Sequence, residues 1–178
     1  IVLATVNARY SHPALGLRWL YANLGSSQNE AVIREFAPGR LAAQIVEDLI
    51  AGNPRLVGLG VYIWNVGLLT ETARILKAVR PNIVLVVGGP EASYEYEGTD
   101  LFAVADYLVR GEGEEAFAEL AHAILAGRPP ANKVVGPARP DLSRLVLPYD
   151  AYTDEDLAQR FIYVESSRGC PFRCEFCL

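Results

Sequence analysis

Residues 56 to 62 read Leu56-Val-Gly-Leu-Gly-Val-Tyr62, an apolar run that contains no charged residue. An unbroken apolar run of strand length is typical of a strand that is buried on both faces, as in parallel sheets covered by helices. A second strand of this kind is predicted over Asn82–Val87, after one helical segment, Gly67–Val79. The alternation predicts repeated strand–helix units, which form a parallel sheet with helices on both sides.

The same alternation continues toward both ends of the chain. Further strands are predicted over Ile1–Val6, Ala31–Phe36 and Ala105–Val109. Further helices, with apolar residues three or four positions apart, are predicted over Pro13–Leu24, Arg40–Ala51 and Glu114–Ala126. We therefore expect an α/β fold with a doubly wound, flavodoxin- or Rossmann-like parallel sheet of five strands in the order 2-1-3-4-5. The segment Lys133–Val135 is a candidate for a short sixth strand.

Ligands of open α/β sheets bind in the crevice beyond the carboxyl ends of the strands. That rule selects four loops before any motif is considered. They are Asn7–His12, Tyr62–Asn65, Gly88–Ser93 and Gly111–Glu114. We expect a ligand site where these loops meet.

The sequence after Gly127 is rich in proline, which breaks regular structure: Pro129, Pro130, Pro137, Pro140 and Pro148. We predict three parts, namely a sheet domain over 1–128, a linker over 129–153 and the start of a second domain over 154–178. The last part begins with a predicted helix over Asp154–Arg160 and a predicted strand over Phe161–Glu165. The chain contains no Met and begins inside a predicted strand, so we expect it to be a piece of a longer protein.

Composition limits the classes of partner. The formal net charge is −5 over 178 residues, which argues against a module that binds nucleic acid through phosphate contacts. No apolar run approaches the ~18 residues that are needed to span a bilayer, and no export leader is recognisable. We therefore expect a cytoplasmic protein that binds small-molecule cofactors rather than nucleic acid or membranes.

All three cysteines lie in one short stretch, Cys170-Pro-Phe-Arg-Cys174-Glu-Phe-Cys177, with the spacing C-x3-C-x2-C. A structural zinc site takes four ligands, and neither His12 nor His122 is near this stretch in sequence. A cubane iron–sulfur cluster tolerates three protein thiolates, because its fourth iron can take an external ligand. The spacing therefore favours a [4Fe-4S] cluster with one open iron over a zinc site.

With Glu165-Ser-Ser-Arg-Gly directly upstream, this stretch resembles the signature of radical S-adenosylmethionine (SAM) enzymes. The resemblance implies that Cys170, Cys174 and Cys177 bind the cluster, that its open iron chelates SAM, and that Phe176 lies near the adenine of SAM. It also implies that the motif follows the first strand of a partial (β/α) barrel, here truncated. An external electron donor of the flavodoxin or ferredoxin type would reduce the cluster, which then cleaves SAM to a 5′-deoxyadenosyl radical.

The resemblance extends upstream to the cobalamin-binding class of radical SAM proteins. Two turns carry it, Gly88-Gly-Pro-Glu91 and Arg110-Gly-Glu-Gly-Glu114, together with the loop that ends at Asn65. The resemblance implies cobalamin contacts at Ala8, Arg9, Tyr10, Ser11, His12, Tyr62, Ile63, Trp64, Asn65, Gly88, Gly89, Pro90, Glu91, Gly111, Glu112 and Gly113. The alternatives are that these glycines only make tight turns and that Trp64 only packs in the core.

Two motif matches are weaker. Cobalamin domains that bind cobalt through histidine carry D-x-H-x-x-G, whereas Tyr10 stands two residues before His12 and Gly16 follows four residues later. We therefore expect His12 to have a loop role rather than a cobalt-binding one. The stretch Gly111–Ala116 matches the dinucleotide fingerprint G-x-G-x-x-A. We reject that interpretation because acidic side chains in this loop would repel a pyrophosphate at the helix N-terminus.

These observations predict the N-terminal part of a cobalamin-dependent radical SAM enzyme, with radical methyl transfer as the expected reaction. The chain alone is expected to be inactive, since most of the barrel lies outside it. Two alternatives stay open: a non-catalytic cobalamin-binding or sensor module, and a radical SAM protein whose Rossmann-like domain binds no cobalamin.

Overall fold

The computed structural model of the protein describes residues 1–172 and 174–175. A single parallel sheet lies at its centre, with the strand order β2-β1-β3-β4-β5-β6. The strands are β1 (Val2–Val6), β2 (Val32–Phe36), β3 (Leu56–Gly60), β4 (Val84–Gly88), β5 (Tyr107–Gly111) and β6 (Val134–Ala138). The predicted order 2-1-3-4-5 is confirmed.

The sheet has six strands rather than five. The candidate Lys133–Val135 becomes a full strand, β6, because Val134 and Val135 pair with Leu108 and Val109 of β5. Without β6 the strand β5 would be an unpaired sheet edge. Part of the segment that the prolines mark as a linker therefore belongs to the sheet, while the division at residue 128 stays a prediction.

Helices cover both faces of the sheet. They are α1 (Leu15–Ala22), α2 (Ala42–Ile50), α3 (Val66–Val79), α4 (Pro90–Ser93), α5 (Asp100–Val104), α6 (Glu114–Leu125) and α7 (Asp154–Gln159), with 3-10 turns at Gly25–Glu30 and Tyr149–Ala151. None of the helices in the described part of the chain is long and apolar enough to cross a membrane.

Side chains of each strand alternate between two apolar layers. Leu3, Val86 and Val109 point to one face, where they pack with Leu17 of α1 and Phe117 of α6. The other face of the same strands packs against α2, α3 and α5. The central strands β3 and β4 contain only apolar residues and glycine because both of their faces are covered.

The turn after β4 can only be built with glycine. Gly89 has a φ of +105°, and a Cβ added there would lie 2.6 Å from the backbone oxygen of Val61. The close approach joins the ends of β3 and β4, where the amide of Val61 donates to the carbonyl of Gly88 at 2.7 Å. The Gly-Gly-Pro turn therefore fixes the carboxyl edge of the sheet.

The predicted helix near residue 154 is confirmed as α7, but the predicted strand Phe161–Glu165 is wrong. A strand needs the backbone of a neighbouring strand, and none of the described residues supplies one. Instead, the hydroxyl groups of two tyrosines bind the backbone N–H and C=O groups that a neighbouring strand would bind. The hydroxyl of Tyr152 accepts from the amide of Tyr163 and donates to its carbonyl, at 3.3 and 3.0 Å. The hydroxyl of Tyr149 does the same for Glu165, at 3.1 Å in both bonds.

Candidate cofactor cavity

A cavity of about 820 Å³ opens at the carboxyl edge of the sheet. It lies between α1, α6 and the strands β3, β4 and β5, and residues of the segment 163–169 also line it. Its apolar lining includes Leu17 and Leu20 of α1, Val86 of β4 and Phe117 of α6. A cavity of this size, apolar with a few polar groups, is typical of a cofactor site.

Glycines give the cavity much of its space. Backbone without a side chain lines it at Gly16, Gly58, Gly60, Gly88, Gly89, Gly111, Gly113 and Gly169. A Cβ at Gly113 would already lie 3.3 Å from Leu20 and Val109, and one at Gly58 would lie 3.2 Å from Phe117. A ligand in the cavity can therefore approach the backbone of the strand ends closely.

Two residues of the lining each carry one buried polar atom without a hydrogen-bond partner among the described residues, Oε2 of Glu114 and Nε1 of Trp19. The two residues are only 5% and 7% exposed. An unpaired buried polar group costs about 1–3 kcal/mol. The pair, one acceptor and one donor, suits a ligand that carries amide groups, because an amide supplies both a donor and an acceptor.

Arg168 lines the cavity and binds three carboxylates. Its guanidinium contacts Glu114 at 2.6 Å, Glu112 at 3.0 Å and Glu165 at 3.1 Å, and lies 4.5 Å from the centre of the Trp19 ring. Burial lowers the pKa of Arg168, but the hydrogen bond and charge of Glu114, with the other carboxylates, raise it overall. Arg168 therefore stays charged.

A second, smaller cavity of about 350 Å³ lies beside the loop after β1. The Nδ1 atom of His12 is hydrogen-bonded to the phenol of Tyr163, and the two rings stack with centroids 5.9 Å apart. On the other side Trp64 stacks on Tyr62 at 4.6 Å and donates to the carbonyl of Val6 at 3.0 Å. Both Tyr62 and Tyr163 line the two cavities, so the cavities adjoin.

Most of the residues chosen from the sequence line one of these cavities. The large one includes Tyr62, Gly88, Gly89, Pro90, Gly111, Glu112 and Gly113. The small one includes Ala8, Arg9, His12, Tyr62 and Trp64. The lining of neither includes Tyr10, Ser11, Ile63, Asn65 or Glu91.

Two of these remaining residues have other partners. The amide of Asn65 donates to Thr5 and Val6, and its oxygen accepts from the amide of Tyr62, so its side chain fixes the loop after β3. The phenol of Tyr10 donates to Glu155 at 2.5 Å, which ties the loop after β1 to α7. Cofactor contacts at these positions stay predictions.

Sequence reasoning missed the part of the lining that comes from α1 and from the segment 163–169. Leu17 and Leu20 look like ordinary core residues of an amphipathic helix, and they do pack there. For another part of the lining, which comes from the glycines of β3, a sequence signal was available. Gly58 and Gly60 interrupt a buried strand, and glycine inside a strand often marks close approach of a ligand.

The cysteine motif is described only in part. Cys170 and Cys174 are exposed and free, and Cys170 follows directly after the lining residue Gly169. Cys177 and Phe176 lie outside the described residues. Within the described ranges no group of three or more His, Cys, Asp or Glu side chains is arranged to hold a metal ion.

A second buried charge cluster attaches α7 to the sheet domain. Nη2 of Arg18 contacts Glu35 at 2.9 Å and Asp156 at 2.7 Å, and Arg160 contacts the same carboxylates at 3.0 and 3.3 Å. Burial raises the pKa of Glu35, but hydrogen bonds from Arg18, Asn7 and the Ala14 amide lower it below its ordinary value.

The pKa of Asp156 is also lowered. Burial raises it, but the amide of Thr153 and the guanidinium of Arg18 outweigh that effect. Both carboxylates are therefore charged at neutral pH, which suits their pairing with two arginines.

The comparisons with known proteins agree with this geometry. The family described as the B12 binding domain matches residues 1–121. The chain belongs to the B12-binding domain family. The match covers every element of the sheet domain from β1 to most of α6, including both glycine turns at the cavity. Family membership therefore supports cobalamin binding.

Longer proteins contain a similar region. The chain is 30% identical to the cobalamin-dependent radical SAM methyltransferase TokK of Streptomyces tokunonensis, over 70% of this chain and 22% of that protein. It is 31% identical to an anaerobic magnesium-protoporphyrin IX monomethyl ester cyclase of Rubrivivax gelatinosus, over 75% of this chain and 28% of that protein. The chain thus spans less than a third of either relative.

A solved structure shares the fold. It is the radical S-adenosylmethionine methyltransferase TsrM of Kitasatospora setae, with a TM-score of 0.50 and 23% identity. The similarity covers 74% of this chain and 27% of that one. The chain is therefore a B12-binding domain related to cobalamin-dependent radical SAM methyltransferases.

Proposed function

We propose that the large cavity binds cobalamin as part of a cobalamin-dependent radical SAM enzyme. The observation that carries the proposal is the glycine-lined cavity of about 820 Å³ at the carboxyl edge of a B12-binding domain, with a buried acceptor and a buried donor unpaired in its lining. Cobalamin is large, mostly apolar and surrounded by amides. The apolar lining and the unpaired polar atoms of Glu114 and Trp19 suit the apolar surface and the amides of cobalamin.

Each part of the lining has a role in this proposal. Leu20, Val86 and Phe117 bury the apolar surface of the cofactor. Glu114 would accept a hydrogen bond from a cofactor amide through Oε2, and Trp19 would donate one through Nε1. The turns at Gly88–Pro90 and Gly111–Gly113 would let the cofactor lie directly on the backbone.

The cysteine loop completes the proposed enzyme. Cys170, Cys174 and Cys177 would hold a [4Fe-4S] cluster, and Phe176 would lie near the adenine of SAM. When bound, the reduced cluster with SAM would supply a radical, and cobalamin would supply a methyl group. The part of this chain is to hold both cofactors at adjacent places, because Gly169 lines the cavity and Cys170 follows it.

The proposed reaction is methylation of an unreactive carbon or phosphorus centre, in the complete protein rather than in this chain alone. An electron donor of the flavodoxin or ferredoxin type would reduce the cluster in a reducing cytoplasm. Residues 154–178 would form the start of the radical SAM domain. The rival function is a cobalamin-binding or sensor module without radical chemistry, and the two experiments below separate the two proposals.

The first experiment titrates the chain with hydroxocobalamin and follows the corrin absorbance. The chain should bind it, and Gly113→Leu should weaken binding at least about tenfold because the added side chain occupies the cavity. Gly67→Leu is the matched control, since nothing lies within 4 Å of a Cβ at Gly67 on α3. Absence of binding by the parent chain, or equal binding by both variants, would overturn the cobalamin site.

The second experiment uses the complete protein, reconstituted anaerobically with iron and sulfide. Reduction in the presence of SAM should release 5′-deoxyadenosine, and Cys170→Ala should abolish that release. Cobalamin binding without 5′-deoxyadenosine would favour the sensor module. Zinc instead of iron at the three thiols would contradict the radical SAM proposal.

A further inference from the structure

We infer that Arg168 is a positioning residue that fixes Cys170, the first residue of the cysteine motif, against the cavity wall. Its contacts join the segment that carries Cys170 to the turn between β5 and α6, which lines the large cavity. These contacts involve only residues of this chain, whereas their consequence, a fixed placement of the cluster relative to cobalamin, rests on the proposed function.

Every nitrogen of the Arg168 guanidinium donates a hydrogen bond. Nη2 donates to Glu114 and also to Glu165, Nη1 donates to Glu112, and Nε donates to Glu165. All three nitrogens of Arg168 therefore have partners, and these partners come from two separate segments. A planar fork that is held at every nitrogen has a fixed orientation, which a lysine could not reproduce.

The indole of Trp19 restricts the same group from a third direction. The centre of its ring lies 4.5 Å from the guanidinium carbon, and the Arg168 side chain is only 13% exposed. Arginine over tryptophan is a favourable cation–π arrangement. Helix α1, the turn before α6 and the segment after residue 161 thus meet at one side chain.

The covalent path from this contact to the first cysteine is short. Only Gly169 separates Arg168 from Cys170, and Gly169 has a φ of +86°, in the left-handed region that favours glycine. Because two peptide units connect the fixed guanidinium-bearing residue to the thiol-bearing residue, the position of Arg168 restricts the position of Cys170.

A role in stability alone would not need this arrangement. Arg74 and Asp100 form an ion pair at 2.7 Å with side chains 55% and 72% exposed, which is the ordinary surface case. Arg168 instead gathers three carboxylates where one would balance its charge. Glu112 in the turn and Glu114 at the start of α6 thereby connect the sheet domain to the segment that carries Arg168.

The test measures a distance distribution by electron–electron double resonance on the chain. One spin label is placed on Cys170, with Cys174→Ser and Cys177→Ser, and the other on Glu71→Cys, an exposed position of α3. The parent should give one narrow distribution. Arg168→Met should at least double its width, Arg168→Lys should give an intermediate width, and Arg74→Met should leave it unchanged.

Unfolding by urea of the same variants separates positioning from stability. An unchanged width in Arg168→Met would overturn the inference, and so would a loss of stability without broadening. Cobalamin titration of the unlabelled parent tests the proposed function independently of the positioning role. If the parent binds no cobalamin while Arg168→Met still broadens the distribution, the proposed function fails and the positioning role stands.

Discussion

Different interactions stabilise the sheet domain and the segment after β6. In the sheet, Leu85 and Leu108 are fully buried within a continuous apolar layer. In the later segment, Phe161 and Val164 are 62% and 69% exposed. Ion pairs such as Arg18–Asp156 attach this segment to the sheet domain, and phenol hydrogen bonds hold its own backbone. Apolar burial is strong and non-directional, whereas polar contacts are weaker and fix particular atoms. The cavity is built where the two regions meet.

The largest expected effect comes from the apolar layer. Leu85→Ala should lower the free energy of unfolding by about 3–5 kcal/mol, because it removes buried methyl groups and leaves a cavity. Val79→Ala, at a position that is 51% exposed, should change it by less than about 0.5 kcal/mol. Urea denaturation measures both values. Similar losses in the two variants would contradict the assignment of stability to the sheet core.

The buried cluster around Arg18 comes next. Arg18→Met leaves the carboxylates of Glu35 and Asp156 with less positive charge, at a cost of no more than about 3 kcal/mol. Because α7 can detach and hydrate Asp156, its amides should exchange faster while those of β3 stay protected. Arg40→Met, which breaks an exposed pair with Asp48, is the control. Uniform loss of protection in both regions would show that they unfold as one.

Acid should weaken the same attachment. The pKa values of Glu35 and Asp156 are lowered in the folded chain, so their contribution to stability is complete above their ordinary values of 4.5 and 3.8. It is lost as the pH falls through the lowered values. The free energy of unfolding should therefore decrease below about pH 5, and Glu35→Gln should flatten that decrease. Equal pH dependence of variant and parent would contradict the pairing.

The smallest expected effect concerns one phenol. Tyr152→Phe removes the hydroxyl that binds both backbone groups of Tyr163, which should cost about 1 kcal/mol. Amide exchange at Tyr163 should accelerate, whereas exchange in the sheet should not change. Tyr94→Phe, at a side chain that is 50% exposed, provides the control. Unchanged exchange at Tyr163 would show that other contacts hold this segment.

The sheet could be predicted from the sequence because β3 and β4 contain only apolar residues and glycine and alternate with helical segments. The rule on carboxyl ends then selected Gly88–Pro90 and Gly111–Gly113. The polar attachments could not be predicted. Arg18 and Asp156 are 138 residues apart and look like ordinary charges on helix surfaces. The segment Phe161–Glu165 has strand-forming residues, but strand formation also depends on a neighbour that sequence alone does not identify.

The two phenols have a consequence for how this segment can grow into a larger sheet. In an extended chain, the backbone N–H and C=O groups of successive residues point to opposite sides. The phenol of Tyr152 binds these groups of Tyr163, and the phenol of Tyr149 binds those of Glu165, two residues later. In the described part of the chain, the backbone groups of Ile162 and Val164 have no partner. Among residues 162 to 165, a further strand would therefore find free backbone groups only at Ile162 and Val164.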